Sequence, residues 1–159
     1  LSRTTRMSQV AFYQLRTTAL EKALPKLLEK AISGGMRAFV VAGSEAQVET
    51  LNAALWTYDP ASFLPHGTAQ EGAADRQPIL IATDASTHGD NPNDASLLVL
   101  LNGAQVSGPA SFSRCVDMFD GRIDSELTAA RARWKRHSDA GDEVTYFEQT
   151  ADGRWEKRA

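Results

Sequence analysis

Several features that many proteins of this size carry are missing from the sequence. Its 159 residues include a single cysteine, Cys115, so no internal disulfide can form, which agrees with a reducing compartment. No apolar run approaches the roughly 20 residues that cross a bilayer, and the start lacks the basic region and apolar core of a signal peptide. We therefore expect a cytoplasmic protein outside the membrane, in which Cys115 is a core or helix-face thiol without chemistry of its own.

The motifs of common catalytic and cofactor sites are also absent. After the second apolar strand pattern only Gly43-Ser44 is present, without the spaced glycines of a dinucleotide turn or the Gly-Lys-Ser/Thr of a P-loop. The histidines stand on separate segments without a partner at metal-ligand spacing: His66, His88 and His137. No Gly-x-Ser-x-Gly nucleophile elbow occurs. We predict no catalytic residue, no metal and no cofactor.

Basic residues are too scattered to predict direct binding to duplex DNA. The first 37 residues hold seven Lys/Arg against two Glu, whereas residues 38–100 hold only Arg76 against eight acids. Proteins that grip nucleic acid neutralise several phosphates with a contiguous basic face. The local basic cluster lies near the end of the chain, at Arg131, Arg133, Lys135 and Arg136. We expect contact with DNA to be indirect.

Strand and helix patterns alternate along the first two thirds of the chain. Short apolar strands are predicted at residues 10–15, 37–42, 78–82 and 96–101. Two capping boxes open predicted helices over residues 19–32 and 44–55: Thr18 with Glu21, and Ser44 with Gln47. Because Pro25 lies inside the first helix, we expect that helix to kink or to begin near Leu24. Residues 83–94, rich in Asp, Asn, Gly and Ser, predict an exposed loop.

The last third of the chain predicts two more helices and a hairpin. The helices cover residues 109–119 and 124–138, and the hairpin joins strands 143–148 and 154–157 across Asp152-Gly153. Alternation of strands and helices favours a parallel sheet covered on both faces. We predict an α/β fold: one three-layer Rossmann-like domain over residues 9–159, with a mostly parallel central sheet and a C-terminal hairpin. Residues 1–8, which begin ahead of the first methionine, are expected to be disordered or foreign to the fold.

An aromatic segment at residues 55–67 indicates a binding surface. It places Trp56, Tyr58 and Phe63 beside two prolines and an Asp-Pro step that disfavour a regular helix. Loops run over the surface, so these rings either fold back onto the core or meet a partner. In the simpler alternative, Trp56 ends a helix and packs under the sheet while Phe63 opens a short strand.

The last predicted helix carries an apolar face flanked by two cations. At about 100° per residue, one narrow face holds Ile123, Leu127, Ala130 and Trp134. Arg131 and Lys135 stand beside Trp134, an arrangement that suits a short acidic peptide ending in a hydrophobic residue. The alternative is a basic surface helix whose tryptophan packs inward. Arg133 and Arg136 are predicted to project into solvent from the other side.

Taken in order, these motifs resemble the chi subunit of bacterial DNA polymerase III, an accessory subunit of the clamp-loader assembly. The most distinctive match is Ala-Leu-Trp-Thr-Tyr-Asp-Pro-Ala-Ser-Phe-Leu-Pro-His-Gly over residues 54–67. Further matches follow in the family's order, at Phe12-Tyr13 and at residues 37–42, 117–121 and 130–135. The resemblance covers roughly residues 9–158.

The resemblance implies a non-catalytic adaptor with two binding surfaces, monomeric when alone. In that family the last helix binds the acidic C-terminal tail of single-stranded DNA-binding protein, which ends in Asp-Ile-Pro-Phe. The matching residues are Arg131, Trp134 and Lys135, although a further basic position of the family is Leu127 here. The family's surface for the psi subunit, its link to the clamp loader, is matched by Trp56, Phe63, Leu64, Pro65 and His66.

Two other functions stay open from the residues alone. A nucleotide or small-molecule binding enzyme with a Rossmann-like fold would need a ligand in the crevice beyond the strand ends. A direct nucleic-acid binder would need a basic face, against which the acidic middle of the chain argues.

Overall fold

The order of strands and helices follows the alternation that the sequence predicts, with two exceptions: a short strand is added at residues 66–68, and a strand replaces the described part of the helix predicted over residues 109–119. The computed structural model describes residues 9–58, 64–69, 73–83, 91–106 and 112–159. Residues 1–8, predicted to be disordered or foreign, and most of the predicted loop 83–94 lie outside these ranges. The described elements are β1 (Gln9–Leu15), α1 (Leu20–Ser33), β2 (Ala38–Ala42), α2 (Glu45–Thr57), β3 (His66–Thr68), a 3₁₀ turn (Ala74–Arg76), β4 (Ile79–Thr83), β5 (Leu97–Leu101), β6 (Arg114–Asp120), α3 (Asp124–Asp139), β7 (Glu143–Gln149) and β8 (Trp155–Lys157).

The eight described strands form one sheet in the order β3-β4-β2-β5-β6-β1-β7-β8. Neighbouring strands are parallel except β7 and β8, which pair antiparallel with Phe147 opposite Lys157. Strands β2, β4 and β5 are buried along their whole length, as expected for parallel strands with cover on both faces. The predicted α/β class, mostly parallel sheet and C-terminal hairpin are confirmed.

The helices divide between the two faces of the sheet and make three layers. From β1 the chain moves toward the β3 edge through α1, and from β6 it moves toward the β8 edge through α3. Since such crossovers are right-handed, opposite directions place the helices on opposite faces. Leu24 and Leu51 of α1 and α2 pack in one core, and Ala130 of α3 packs in the other. Among the described helices, none has the length and apolar character that spanning a bilayer requires.

The prediction of a helix over residues 109–119 is wrong for the part of this segment that the structure describes. Residues Arg114–Asp120 form the central strand β6, hydrogen-bonded to β1 and β5. Its side chains alternate between the two cores: Cys115 and Phe119 face the α3 side, whereas Val116 and Met118 face α1 and α2. Because Asp117 interrupts the apolar run, the segment lacks the continuous apolar pattern of a buried strand. Cys115 is a core thiol, 3% exposed.

The start of α1 also differs from its prediction. The helix begins at Leu20 with Ala19 as an N-cap that makes no side-chain bond, so neither the Thr18 cap nor a start near Leu24 is found. The Thr18 hydroxyl instead accepts a hydrogen bond from the side-chain amide of Gln149. The second predicted cap is present: Ser44 Oγ accepts from the backbone N–H of Gln47 at 3.2 Å.

A buried ion pair fastens α3 to the sheet. Arg133 Nε donates to Asp117 Oδ2 at 2.6 Å and its Nη2 donates to Asp117 Oδ1 at 2.9 Å, with the two side chains 7% and 3% exposed. The prediction that Arg133 projects into solvent is therefore wrong. A bidentate fork satisfies both carboxylate oxygens, which makes the burial of two charges tolerable.

Removing one partner of the Arg133–Asp117 pair should destabilise the protein more than removing both. Arg133→Met leaves Asp117 as a buried uncompensated charge, and we expect the free energy of unfolding to fall by about 3–5 kcal/mol. The double variant Asp117→Leu with Arg133→Met should recover most of that loss, because apolar side chains can replace a buried pair at little cost. Urea denaturation measures both values, with exposed Arg136→Met as the control. An Arg133→Met protein as stable as the wild type would contradict the role of this pair.

Candidate functional site

A groove lies between α3 and the strands β1 and β7. Its volume is about 500 Å³, and its lining comes from four parts of the chain: Gln14, Arg131, Trp134, Tyr146, Glu148, Arg158 and Ala159. Of the three residues predicted on the last helix, Arg131 and Trp134 line the groove and Lys135 does not. The groove brings together one apolar floor and two guanidinium groups.

Trp134 and Tyr146 form the apolar floor of the groove. The indole of Trp134 packs edge-on against Phe12, with ring centroids 5.7 Å apart, and against Tyr146, with centroids 5.5 Å apart. Trp134 is half-buried in the α3-side core and also lines the groove. It therefore combines the two expectations: its ring packs inward, and part of it borders a surface depression.

Gln14 closes one side of the groove and depends on a glycine to do so. The hydroxyl of Tyr146 donates to Gln14 Oε1. The Gln14 side chain lies against Gly121, at a distance where a Cβ on Gly121 would clash with Gln14 Cγ. Sequence patterns missed both Gln14 and Tyr146, because their approach depends on β1 lying beside β7.

The cations near the groove differ in how they are held. Arg131 is exposed and forms no ion pair with a carboxylate in the described part of the chain. Lys135 Nζ lies 3.2 Å from Asp139 Oδ2 one turn along α3, with both side chains largely exposed. Arg131 is thus available to a ligand carboxylate inside the groove, whereas Lys135 stands outside with a weak partner of its own.

A second candidate surface surrounds the last turn of α2. Trp56 is 59% exposed and its ring lies 4.9 Å from that of His66 in β3. Trp56 thus lies at the end of a helix, as the simpler alternative held, but more than half of the residue remains exposed. Among the described residues, the other large apolar side chain with similar exposure is Ile123, at 44%. Because exposed aromatic side chains are enriched at protein interfaces, Trp56 is a candidate contact residue for a partner.

The other residues predicted for this surface play unequal parts. Leu64 is 3% exposed and packs in the core, so it supports the surface from below. Pro65 is half-buried. His66 is 9% exposed, and its Nδ1 donates to the carbonyl of Leu64 at 2.7 Å. Phe63 lies outside the described residues.

The two surfaces lie on opposite faces and in different parts of the sheet. Trp56 belongs to α2, next to the edge strand β3, whereas Trp134 belongs to α3, over β1 and β7. Between β3 and β1 lie four strands of the sheet. One ligand on each surface could be bound at the same time.

In two strand-to-helix turns of the described chain, backbone N–H groups are occupied by side chains. Ahead of α1, Gln149 Oε1 accepts from the N–H groups of Arg16, Thr17 and Thr18 at 3.1, 2.8 and 3.1 Å. Gln149 is 2% exposed. Ahead of α2, Gln47 Oε1 accepts from the N–H of Gly43 at 2.8 Å. Turns of this kind hold phosphates in doubly wound folds, so these two turns give the nucleotide-binding alternative no support.

The described residues also offer little for catalysis or metal binding. Burial, together with the nearby carboxylates of Asp117 and Asp142, raises the pKa of the Cys115 thiol well above its ordinary value, and a thiol in that state is a poor nucleophile. In the described ranges no group of three His, Cys, Asp or Glu is placed to hold a metal ion.

Comparisons with known proteins agree with one another. A family model described as "DNA polymerase III chi subunit, HolC" matches residues 7–145. The chain is 25% identical over 158 residues to a probable DNA polymerase III subunit chi of Rickettsia prowazekii (strain Madrid E), covering 96% of this chain and 93% of that protein. It is 27% identical over 124 residues to the DNA polymerase III subunit chi of Escherichia coli (strain K12), covering 78% and 82%. The subunit chi of Pseudomonas aeruginosa is 28% identical over 116 residues, covering 70% and 77%.

The pKa of Tyr146 should show which of the two α3 cations, Arg131 or Lys135, lies beside it in the groove. Burial raises this pKa above its ordinary value, Glu148 raises it further, and Arg131 lowers it. We therefore expect Arg131→Ala to raise the pKa of Tyr146 further, and Lys135→Ala to leave it unchanged. A pH titration of carbon-13-labelled tyrosine by NMR, with Tyr146→Phe to assign the signal, measures the difference. If the pKa of Tyr146 changed in the Lys135→Ala protein and not in the Arg131→Ala protein, Lys135 rather than Arg131 would be the cation beside Tyr146.

Proposed function

The chain belongs to the chi subunit family of DNA polymerase III, and we propose that it is a non-catalytic accessory subunit of the polymerase holoenzyme. In this role it binds the acidic C-terminal tail of single-stranded DNA-binding protein at the α3 groove. A psi-like subunit at the Trp56 surface links it to the clamp loader, and polymerase activity resides in other subunits. It works in the cytoplasm, is monomeric when alone, uses no cofactor and meets DNA only through its partners.

The observation that carries the proposal is the meeting of Arg131 and Trp134 in one groove. A tail that ends in Asp-Ile-Pro-Phe needs a cation for its carboxylates and an apolar surface for its final ring. Arg131 and the floor formed by Trp134 and Tyr146 supply both. Lys135 is kept as a peripheral contributor, and Leu127, which replaces a basic residue of the family, suggests a weaker electrostatic contribution than the family pattern provides.

The proposal for the psi-like subunit rests on the exposure of Trp56. Trp56 as a whole is 59% exposed, so it presents a large apolar area for a partner to bury. Pro65 and His66 stiffen the adjoining chain, since Pro fixes its own φ angle and His66 is bonded to Leu64. Phe63 completes the proposed surface by its place in the sequence motif. In the described ranges nothing favours the nucleotide-binding enzyme, and we do not propose it.

Tail binding should depend on Arg131. Arg131→Ala is expected to weaken binding of a peptide ending in Asp-Ile-Pro-Phe by about 1–3 kcal/mol, because it removes the cation that α3 contributes to the groove. Arg136→Ala, an exposed arginine on the same helix that does not line the groove, should bind as the wild type does. Lys135→Ala should fall between them. Isothermal titration calorimetry measures the affinities, with a peptide lacking the final Phe as the ligand control.

Equal peptide affinity in the Arg131→Ala and wild-type proteins would contradict binding of the tail at the groove. Binding that survives without the final Phe would show an interaction by charge alone. Trp134→Ala is a poorer probe, since loss of contacts with Phe12 and Tyr146 would also loosen the core.

Association with the clamp loader should depend on Trp56. In cells that produce a tagged protein, Trp56→Ser is expected to lose co-purifying clamp-loader subunits at least tenfold while retaining single-stranded DNA-binding protein, roughly the effect of deleting an aromatic anchor. Phe63→Ala should behave in the same way. Ile123→Ser is the matched control, because it also removes an exposed apolar side chain. Quantitative mass spectrometry of the eluates gives the ratio, and unchanged clamp-loader recovery with Trp56→Ser would place that surface elsewhere.

A further inference from the structure

The groove contains a second arginine, which no sequence pattern pointed to. Arg158 follows β8 and lines the groove with Arg131. Its Nε lies 3.1 Å from Glu148 Oε1 and its Nη2 lies 3.0 Å from Glu156 Oε1. About half of the Arg158 side chain is exposed, so a ligand can reach the guanidinium. Arg158, rather than Lys135, is therefore the second cation inside the groove.

Glu148 occupies the same groove with the opposite charge. Its side chain lines the groove and is 22% exposed. One carboxylate oxygen pairs with Arg158, and the other lies 3.1 Å from Arg16 Nη1. A carboxylate at this position repels an acidic ligand and holds the cation that the ligand needs. An acidic peptide must therefore compete with Glu148 for Arg158.

The surrounding ion pairs keep the free-energy cost of moving Arg158 from Glu148 to a ligand carboxylate small. When Arg158 turns to a ligand carboxylate, Glu148 keeps its contact with Arg16 and is not left as an unpaired charge. The other partner of Arg158, Glu156, is about half exposed and holds it weakly. The pairs Arg16–Glu148 and Arg158–Glu148 thus share one carboxylate that can release one of its two cations.

We propose that Glu148 is a built-in competitor that tunes the affinity of the groove for an acidic, carboxyl-terminated peptide, and that Arg158 is the cation it releases. This inference rests on the proposed binding of the tail at the groove and names the regulation of that site. Peptide affinity is set by exchange of ion-pair partners as well as by the attraction of Arg131. A change at β7 or after β8 therefore alters affinity without touching α3.

The test compares two charge variants with matched controls in a fluorescence anisotropy titration at low salt. The probe is a labelled acidic peptide that ends in Asp-Ile-Pro-Phe with a free carboxylate. Glu148→Gln should tighten binding by about two- to fivefold, and Arg158→Ala should weaken it by about the same factor, the range expected for partly exposed ion pairs. Both effects should shrink at high salt.

The controls separate a local exchange from a change in net charge. Glu143→Gln removes an exposed carboxylate from the same strand, and Arg154→Ala removes an arginine whose partner is Asp152. Neither residue lines the groove, so each should leave the affinity within the error of the measurement. Urea denaturation checks that Glu148→Gln and Arg158→Ala remain folded.

The outcomes distinguish this inference from the proposed function. Peptide binding that depends on Arg131 but does not change with Glu148→Gln and Arg158→Ala would contradict the proposed competition by Glu148. The proposed tail site at the groove would remain supported. If Glu143→Gln increased peptide affinity as much as Glu148→Gln, the effect would come from net charge alone. The proposed competition by Glu148 would then also be contradicted. If no protein in the series binds the peptide, the proposed tail site fails, and the competitor fails with it.

Discussion

The bidentate pair between Arg133 and Asp117 determines how α3 presents its side chains. Arg133 is held beneath the helix by both carboxylate oxygens, so the helix cannot rotate about its axis without breaking the pair. In an α-helix Arg131 then lies about 60° from Trp134 around the axis, whereas Lys135 lies about 100° from it. Arg131 consequently shares the rim of the groove with Trp134, and Lys135 stands outside. The buried charge pair in the core thus fixes which cation of α3 lies at the groove.

Sequence patterns were sufficient for the elements whose burial is uniform. The apolar runs of β2, β4 and β5 are buried along their length, and their strands were predicted from composition alone. The buried pair is different, because Asp117 and Arg133 each resemble a solvated residue when read singly. Asp117 made β6 look unlike a buried strand, and Arg133 looked like part of a basic surface. Only their contact, between residues 16 positions apart in the chain, makes both burials possible.

The candidate site could be predicted only as far as it lies on one element. Arg131 and Trp134 are close in sequence, and helical periodicity was enough to place them together. Gln14, Tyr146 and Arg158 come from β1, β7 and the segment after β8. Their approach depends on the strand order β6-β1-β7-β8, which no local pattern contains. The exposure of Trp56 was likewise open in the sequence, since a tryptophan at a helix end can face either the core or the surface.

The proposed adaptor role needs two surfaces that do not interfere, and the sheet separates the two candidate surfaces. Trp56 and the groove lie on opposite faces with four strands between β3 and β1, so substitutions at one should not alter the other. The most direct test of the account is an NMR titration of the nitrogen-15-labelled protein with the acidic peptide that ends in Asp-Ile-Pro-Phe. The account predicts saturable shifts of the Trp134 indole N–H and the Gln14 side-chain amide, and none of the Trp56 indole. Shifts centred on Trp56, or a Trp134 signal that stays in place at saturating peptide, would contradict it.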